Sequence, residues 1–358
     1  MVTMIVLALL TAMSGLLVCL TGCAGAEEAP EIPDCLIDLH LHLDGSLSVA
    51  SARKLAAMQG IDIPADDEEL LDLLTVSADC RDLNEYLEKF DFPCSLLQTR
   101  EALAEAVCTL EEELQAQGLI YAEIRFAPQK HRAQGLTQED VVLAAIEGAK
   151  RCGFRSNLIL CCMRGADNAA ENSETIRLAA KYLGQGVCAA DLAGAEALFP
   201  TSDYASLFDA AKAAGLPFTL HAGEADGPES VWKALEFGAA RIGHGVRSIE
   251  DPALAARLAA DGIPLELCPT SNLNTAVYPD LSQYPLAALM EQGVKVTVNT
   301  DNMSVSGTTL RREYQRLMDE AGLTEEQLYT LLRNAVDAAF ADEATKTELR
   351  AAVEAAIR

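Results

Sequence analysis

Two histidines one residue apart, His40 and His42, are the first side chains in the sequence that suit metal chemistry. They end an apolar run that begins after Pro33 and is typical of a short buried strand. Because side chains alternate between the two faces of a strand, both imidazoles lie on one face and can reach a single metal ion. The alternative interpretation is that the two histidines are partly buried and held by hydrogen bonds. The positions of the remaining histidines distinguish between these interpretations.

The chain has only five histidines, and most lie in short segments flanked by glycine or aspartate. Three neutral imidazoles and one carboxylate suit a borderline metal such as zinc, and the candidates for this set are His40, His42, His221 and Asp301. A water molecule at the remaining position would have its pKa lowered toward ~7. No lysine follows the predicted fourth strand, where a carbamylated lysine could bridge two metals, so we expect one zinc ion per chain.

Two further side chains are candidates for proton transfer. His244 stands between two glycines, where the backbone can approach closely, and we assign it to orienting and deprotonating the metal-bound water. Glu224 lies three residues beyond His221 and should project into the same site. A carboxyl group in a dry pocket has a raised pKa and can act as a proton donor. The alternative interpretation of Glu224 is a helix-start carboxylate that stabilises nearby amides.

Apolar runs alternate with segments of helical periodicity, which is typical of an α/β fold of the triosephosphate isomerase type, a (β/α)8 barrel. The long gap between residues 49 and 118 is expected to hold several helices as an insertion after the first strand. Residues 324–327 resemble a capping box that opens a C-terminal helix, and residues 343–358 form a last one. The predicted strands are 35–42, 119–128, 157–163, 186–193, 217–223, 239–245, 262–269 and 293–300.

Such a barrel makes a testable demand, because its chemistry lies in the loops at the carboxyl ends of the strands. His40 and His42 end the first predicted strand. His221 and His244 lie near the ends of the fifth and sixth, and Asp301 follows the eighth. Side chains far apart in the sequence are therefore expected to meet at one rim of the barrel.

The composition limits the ligand and the compartment. The 358 residues are 50% hydrophobic and carry a formal net charge of -27, which would repel a nucleic-acid backbone or an anionic membrane surface. A small neutral ligand fits this charge better. The eleven cysteines lie mostly in apolar contexts without short paired spacings, so they are expected to be buried thiols and not a disulfide framework.

The N-terminal residues carry an export pattern. An uncharged apolar run over residues 4–20 is followed by small residues, and residues 20–23 (Leu-Thr-Gly-Cys) resemble a bacterial lipoprotein box. We therefore expect a signal peptide over 1–23 with membrane anchoring through a lipid on Cys23, a tether over 24–33 and one domain over 34–358. No lysine or arginine precedes the apolar run, so the alternatives are a mis-called start codon, an uncleaved anchor or a spurious extension, and a cytoplasmic location.

Six segments between about Leu36 and Leu317 together resemble the adenosine deaminase family of the amidohydrolase superfamily. They are residues 40–46 (HLHLDGS), 191–196 (DLAGAE), 221–224 (HAGE), 241–245 (RIGHG), 268–272 (CPTSN) and 299–302 (NTDN). The resemblance implies zinc-dependent hydrolytic deamination of adenosine and 2′-deoxyadenosine to inosine and 2′-deoxyinosine, with release of ammonia. The ligand would then be a small purine nucleoside, with no nucleic-acid partner.

The resemblance also implies roles for individual residues. His244 and Asp301 would hold the hydroxide that adds to C6 of the purine, and Glu224 would protonate N1 so that a tetrahedral centre can form. His42 would contact the substrate as well as bind the metal. The residues that resemble the zinc ligands are His40, His42, His221 and Asp301.

A substrate pocket around these residues follows from the same resemblance. The backbone of Gly194 is expected to meet purine N3, and Asp44 the ribose hydroxyl. Tyr86, Leu87 and Phe90 resemble the apolar helix that covers the pocket, with an ordinary amphipathic core face as the alternative for each.

One position departs from many relatives, which have a second aspartate where this chain has Asn302. That group faces purine N7, which only accepts hydrogen bonds, and an amide can donate without any adjustment of its pKa. We therefore expect Asn302 to be compatible with activity. His131, after the second predicted strand, is a loop residue to which we assign no role.

Two alternatives stay open. The same scaffold could deaminate free adenine or an N6-substituted AMP, but Asp44 favours a nucleoside because a carboxylate suits a free 5′-hydroxyl and repels a 5′-phosphate. The second alternative is a catalytically silent lipoprotein that binds nucleosides. Such a protein would have no need of a proton donor such as Glu224 beside a metal. The chain lacks the His-x-Glu…Pro-Cys-x-x-Cys signature, which excludes nucleic-acid base deaminases of that type.

Overall fold

The structure is a computed structural model that describes residues 31–357. The expected signal peptide, Cys23 and most of the expected tether lie outside the described residues. Within residues 31–357, no helix has both the length and the apolar character needed to cross a membrane. The nine cysteines in this part of the chain all carry free thiols, as predicted. Six of them are buried, whereas Cys80, Cys94 and Cys152 are only partly buried.

The described chain contains eight strands, and each is followed by helical segments. The strands are β1 (Leu36–His42), β2 (Leu119–Phe126), β3 (Ser156–Met163), β4 (Val187–Ala193), β5 (Thr219–Ala222), β6 (Arg241–His244), β7 (Leu265–Leu267) and β8 (Val296–Val298). They pair in the orders β1-β2-β3-β4 and β5-β6-β7-β8, and every pairing is parallel. The predicted alternation of strands and helices is confirmed.

Backbone contacts join the two four-stranded sheets at both of their edges. Ala190 in β4 forms a parallel bridge with Phe218, just before β5. At the other edge, the N–H of His42 donates to the carbonyl of Asp301 at 2.7 Å, and the N–H of Asp301 donates to the carbonyl of His40 at 2.8 Å. The end of β1 therefore lies against the segment that follows β8, which brings residues about 260 positions apart to the same rim.

Fifteen α-helices within the described residues surround and extend the strands. They are α1 (Val49–Gln59), α2 (Asp67–Leu74), α3 (Leu83–Leu87), α4 (Asp91–Ser95), α5 (Arg100–Ala116), α6 (Gln138–Cys152), α7 (Ala169–Tyr182), α8 (Ala205–Ala213), α9 (Pro228–Phe237), α10 (Pro252–Asp261), α11 (Pro269–Asn274), α12 (Leu286–Glu291), α13 (Leu310–Ala321), α14 (Glu325–Ala338) and α15 (Glu343–Ala356). The first five form the predicted insertion after β1, and the last two confirm the predicted C-terminal helices.

Local sequence signals determine several helix ends. The predicted capping box at α14 is present: the Thr324 side chain accepts from the N–H of Gln327, whose side chain accepts from the N–H of Thr324. Strand ends were predicted less well. The segment 262–269 contains only the three residues of β7. At its start Gly262 still caps the end of α10, and at its end Pro269, which has no N–H for a strand ladder, occupies the first turn of α11.

Charged side chains occupy the barrel interior beneath the rim. Arg125 in β2 and Glu266 in β7 are fully buried and contact each other at 2.9 Å, although their strands are not neighbours in either sheet. Arg241 in β6 joins the same group by binding both Glu266 and Glu123. Most apolar side chains of the strands form one large buried cluster with the surrounding helices. This packing holds the strand ends that carry the site.

Candidate active site and metal centre

Three histidines and one aspartate meet at the carboxyl rim of the barrel. The Nε2 atoms of His40 and His42 each lie 3.1 Å from His221 Nε2. The same two atoms each lie 3.4 Å from Asp301 Oδ1. All four side chains are buried, and their ligand atoms lie within 4.8 Å of one another. The structure thus brings together the four side chains that were predicted as metal ligands.

The spacing and protonation of this group fit a small cation. Zinc–nitrogen bonds of about 2.0–2.1 Å at tetrahedral angles place neighbouring ligand atoms about 3.3 Å apart. His40 Nδ1 contacts Glu266 at 2.8 Å, and His221 Nδ1 contacts Asp191 at 3.0 Å. Because carboxylates only accept hydrogen bonds, each Nδ1 carries a proton, so in the neutral imidazole that binds a metal the lone pair lies on Nε2 and faces the shared centre. Lone pairs that face one another repel, so this arrangement suits a metal ion between them.

A buried arginine joins the two carboxylates that orient these histidines. Arg125 Nη1 donates to Asp191 at 2.9 Å, and Nη2 donates to Glu266 at 2.9 Å and to the carbonyl of Leu39 at 2.6 Å. Burial works to raise the pKa of both carboxyls, but the positive charges around them, including Arg125, hold both pKa values well below the usual range. Both groups therefore stay ionised acceptors for the imidazole N–H groups.

Two site residues have an uncommon backbone conformation. His244 has a φ of 54° and Asp301 a φ of 60°, in the left-handed region that favours glycine. Such residues cost about 1–3 kcal/mol each and persist where the surroundings hold them. Asp301 is held by its backbone hydrogen bonds to β1 and by Ser271 Oγ, which donates to its Oδ2 at 2.6 Å. This hydrogen bond leaves Oδ1 facing the histidines.

His244 is a buried neutral imidazole beside the metal group. Burial lowers its pKa well below the usual value. Tyr284 donates to Asn272 Oδ1 at 2.9 Å, which turns the Asn272 amide nitrogen toward His244 Nδ1 at 3.2 Å. An amide nitrogen only donates, so Nδ1 accepts and the ring proton lies on Nε2. In this form His244 presents an N–H to the site and can orient an oxygen atom there. Its Nε2 has no free lone pair, so the expected deprotonation of the water by His244 does not fit this tautomer.

Glu224 lies within reach of His244. Its Oε2 is 3.5 Å from His244 Nε2, and its Oε1 accepts a hydrogen bond from Thr275 at 3.3 Å. Burial raises the pKa of Glu224 well above its usual range, and the charges of Asp301 and Glu196 add to the rise. A carboxyl that keeps its proton at neutral pH can donate that proton to a ligand. Glu196, and not Glu224, accepts hydrogen bonds from the nearby loop amides.

A cavity of about 670 Å³ lies over this group. Its volume falls within the range usual for small-molecule sites. His40 is fully buried behind the cavity wall, whereas the other predicted site residues line the cavity. Those residues are His42, Asp44, Tyr86, Leu87, Phe90, Gly194, His221, Glu224, His244, Asp301 and Asn302.

Among the residues that line the cavity, three buried polar atoms have no hydrogen-bond partner within the described chain: Asp44 Oδ1, Arg164 Nε and Asn302 Oδ1. Buried polar atoms normally have partners, so the positions of Asp44 Oδ1 and Asn302 Oδ1 suit a polar ligand. Burial raises the pKa of Asp44 to about 6. Gly45 packs tightly here, since a Cβ on it would lie 1.8 Å from Asn302 Oδ1. Any larger residue at position 45 would displace the amide.

The three apolar residues predicted to cover the pocket form one side of it. Tyr86 is almost fully buried, and its hydroxyl lies 2.7 Å from Ser306 Oγ. The ring of Phe90 meets the ring of His42 edge to face, with 6.4 Å between their centres. Leu87 lies between them in the sequence and also lines the cavity. These side chains therefore border the cavity as well as packing against each other.

Several residues that shape the site were not singled out from the sequence. Arg125 and Glu266 carry the charge network, and Ser271 anchors Asp301. The available signal was a charged residue inside an apolar strand segment, which in a barrel places that charge in the interior. His131 lies in a loop, as predicted; it is fully buried there, and its ring nitrogens have no hydrogen-bond partner among the described residues.

Comparison with known proteins agrees with this geometry. The family model described as adenosine deaminase matches residues 35–356. An adenosine deaminase from Haemophilus ducreyi is 50% identical over 328 residues, which cover 89% of this chain and 95% of the relative. Among solved structures, an adenine deaminase from Arthrobacter aurescens has a TM-score of 0.81 at 28% identity, with 90% of this chain and 99% of that chain covered. An Arabidopsis N6-mAMP deaminase has a TM-score of 0.78 at 26% identity, again with 90% and 99% covered. This chain is therefore an enzyme that belongs to the adenosine deaminase family.

Proposed function

We propose that this enzyme deaminates adenosine and 2′-deoxyadenosine hydrolytically, to inosine and 2′-deoxyinosine plus ammonia, with one zinc ion per chain. The observation that carries the proposal is the meeting of three imidazoles and a carboxylate beside a buried carboxyl, Glu224, whose pKa is raised by burial, in one cavity. A purely nucleoside-binding protein would have no use for that carboxyl. The zinc ligands in this proposal are His40, His42, His221 and Asp301.

The substrate is held by groups that match the edges of a purine nucleoside. Asp44 Oδ1 lacks a partner and accepts the ribose hydroxyl. The N–H of Gly194 donates to purine N3. The amide of Asn302 can present its nitrogen or its oxygen by rotation, and its nitrogen donates to N7. His42, Leu87 and Phe90 enclose the base and exclude water from it.

The proton needed at N1 comes from Glu224. A proton on N1 weakens the aromaticity of the ring, so that C6 can accept an oxygen atom. Glu224 is suited to supply this proton because burial raises the pKa of its carboxyl well above the usual range. The Nε2–H group of His244 and the carboxylate of Asp301 orient the attacking oxygen. When bound, the zinc ion supplies Lewis-acid chemistry that makes hydroxide available at neutral pH.

Adenine and N6-substituted AMP remain the alternative substrates, since the two structural relatives are named for them. Sequence similarity favours adenosine, because the relative at 50% identity is named adenosine deaminase and the other two are below 30%. Asp44 adds a physical reason. Its buried carboxyl would repel a 5′-phosphate, and free adenine would leave its Oδ1 without a partner.

The test is the loss of ultraviolet absorbance when the zinc-loaded protein is mixed with adenosine, 2′-deoxyadenosine, adenine, AMP or N6-methyl-AMP. Turnover of adenosine on the order of tens per second is expected. Glu224→Gln should lower the rate by about 10²–10⁴-fold while zinc is retained, because an amide cannot supply the proton. Glu250→Gln, at an exposed position, is the matched control. Adenine as the best substrate, or a near-normal rate for Glu224→Gln, would refute the proposal.

We also propose that the protein is exported and anchored through a lipid on Cys23. The support is the apolar run over residues 4–20 and the Leu-Thr-Gly-Cys segment that ends it. Lipid anchoring predicts incorporation of labelled fatty acid into the wild-type protein and none into Cys23→Ala. Equal labelling of the two proteins, or recovery of the intact N-terminus from the cytoplasm, would contradict it.

A further inference from the structure

The loop that carries Glu224 is held by a second buried glutamate. Glu196 Oε1 accepts from the N–H of Gly223 at 2.7 Å, and its Oε2 accepts from the N–H groups of Glu224, Ala225 and Asp226 at 3.0, 2.8 and 3.0 Å. Four consecutive backbone donors therefore converge on one carboxylate. Such nests of backbone N–H groups bind anions, and here the anion is a side chain of the same protein.

The Glu196 carboxylate and the four N–H groups of residues 223–226 form a clamp, which is hydrogen-bonded to neighbouring elements. Ser230, in the first turn of α9, donates to Glu196 Oε1 and lies 2.7 Å from Thr201 Oγ1. Arg164 donates to Thr201 Oγ1 at 2.9 Å and to the carbonyl of His221 at 2.6 Å. The network thus connects the segments after β3 and β4 to both ends of the loop after β5. Glu196 itself is 1% exposed and is not among the residues that line the catalytic cavity.

The side chain of Glu224 has few contacts of its own. Its two described polar contacts, to Thr275 at 3.3 Å and to His244 at 3.5 Å, are both long. Its position is therefore set mainly by the backbone of its loop. We propose that Glu196 is a positioning residue for the proton donor: it fixes the loop so that the Glu224 carboxyl faces the substrate. This inference rests on the proposed function, in which Glu224 protonates N1.

The direct test is Glu196→Gln, which keeps the shape of the side chain. An amide has one accepting oxygen, so if that oxygen keeps the three donors at Oε2, the amide nitrogen faces the N–H of Gly223, donor against donor. A shift of about 1 Å at a reacting group can cost about 10²-fold in rate. We expect kcat to fall by about 10²-fold while KM and zinc content change little. Glu229→Gln is the matched control, because it removes the same charge at an exposed position of the neighbouring helix.

A double variant separates positioning from general damage to the site. If Glu196 acts through Glu224, adding Glu196→Gln to Glu224→Gln should lower kcat little further, because residues that act as a unit are not additive. Independent, multiplicative losses in the double variant would overturn the inference. So would a change confined to KM, or a loss of zinc, in Glu196→Gln.

Hydrogen exchange tests the clamp without any catalysis. The amides of residues 223–226 should exchange slowly in the wild type and faster in Glu196→Gln, with no change in Glu229→Gln. Unchanged exchange in Glu196→Gln would refute the clamp. If Glu196→Gln does not fold, Ser230→Ala serves in its place, because it removes a single donor to the carboxylate. It should speed amide exchange less and lower kcat less than expected for Glu196→Gln. Wild-type exchange rates together with wild-type kcat in Ser230→Ala would refute the clamp. If the wild type does not deaminate adenosine, the proposed function fails, but the exchange result still decides whether Glu196 holds the loop.

Discussion

Arg125→Lys tests whether the buried charge network beneath the rim sets the affinity for metal. Arg125 uses one guanidinium nitrogen for Asp191 and the other for Glu266, both at 2.9 Å. These two carboxylates hold the Nδ1–H groups of His221 and His40. A lysine keeps the positive charge but has a single ammonium group in place of the planar fork. It therefore cannot keep both hydrogen bonds in their present geometry.

The magnitude follows from the bond that is lost. A hydrogen bond to a charged group contributes about 1.5–3 kcal/mol. If one carboxylate loses its hydrogen bond to position 125, it no longer holds its histidine, and metal binding is weakened by that free energy. A loss of 1.4 kcal/mol corresponds to about a tenfold rise in the dissociation constant. We therefore expect zinc affinity to fall by about 10–100-fold, the range usual for groups that orient metal ligands. The free energy of unfolding of the metal-free protein should fall as well.

The assay is competition for zinc between the protein and a chelator, together with thermal unfolding in the presence and absence of zinc. Arg333→Lys is the matched control, because the pair that Arg333 forms with Glu354 is exposed. An exposed pair contributes about 0–1 kcal/mol, so this control should bind zinc like the wild type. A folded Arg125→Lys protein with wild-type zinc affinity would refute the reasoning, since the network would then not act on the histidines.

Three other changes test single features. His42→Ala removes a proposed ligand and should abolish stoichiometric zinc binding, so a full zinc content by metal analysis would contradict the ligand set. Asn302→Asp should retain activity at low pH and lose it as the pH rises, because a carboxyl must be protonated to donate to N7; a pH–rate profile like that of the wild type would count against this contact. Burial raises the pKa of Glu111 from 4.5 to about 7, although Ser156 donates a hydrogen bond to it. Because the folded state then binds more protons than the unfolded state between these pH values, stability falls as the pH rises through them. Glu111→Gln should thus raise the free energy of unfolding at pH 8 by on the order of 1–3 kcal/mol and by little at pH 4, and denaturant unfolding at the two pH values checks this.

Much of the site could be predicted from local pattern alone. The alternation of apolar runs with helical segments indicated parallel strands, and such strands place their carboxyl ends at one rim. His40 and His42 share a face because the side chains of a strand repeat every two residues. Their meeting with His221 and Asp301 needed only the barrel geometry and the short polar segments at the strand ends. The bounds of β7 were predicted less well, because a hydrophobicity pattern does not show that a helix begins at Pro269.

Other features depended on how the chain closes on itself. The sequence by itself determined which residue types stand at the strand ends, because propensity and periodicity act over a few neighbouring residues. Only the tertiary structure decided that Arg125 bridges Asp191 and Glu266, since closure of the barrel brings non-neighbouring strands into contact. The same holds for Glu196, whose four amide partners lie about 30 residues further along the chain. The partner of a buried charge is set by three-dimensional proximity, because its desolvation cost is offset only by whichever opposite charge or donor the fold places within reach.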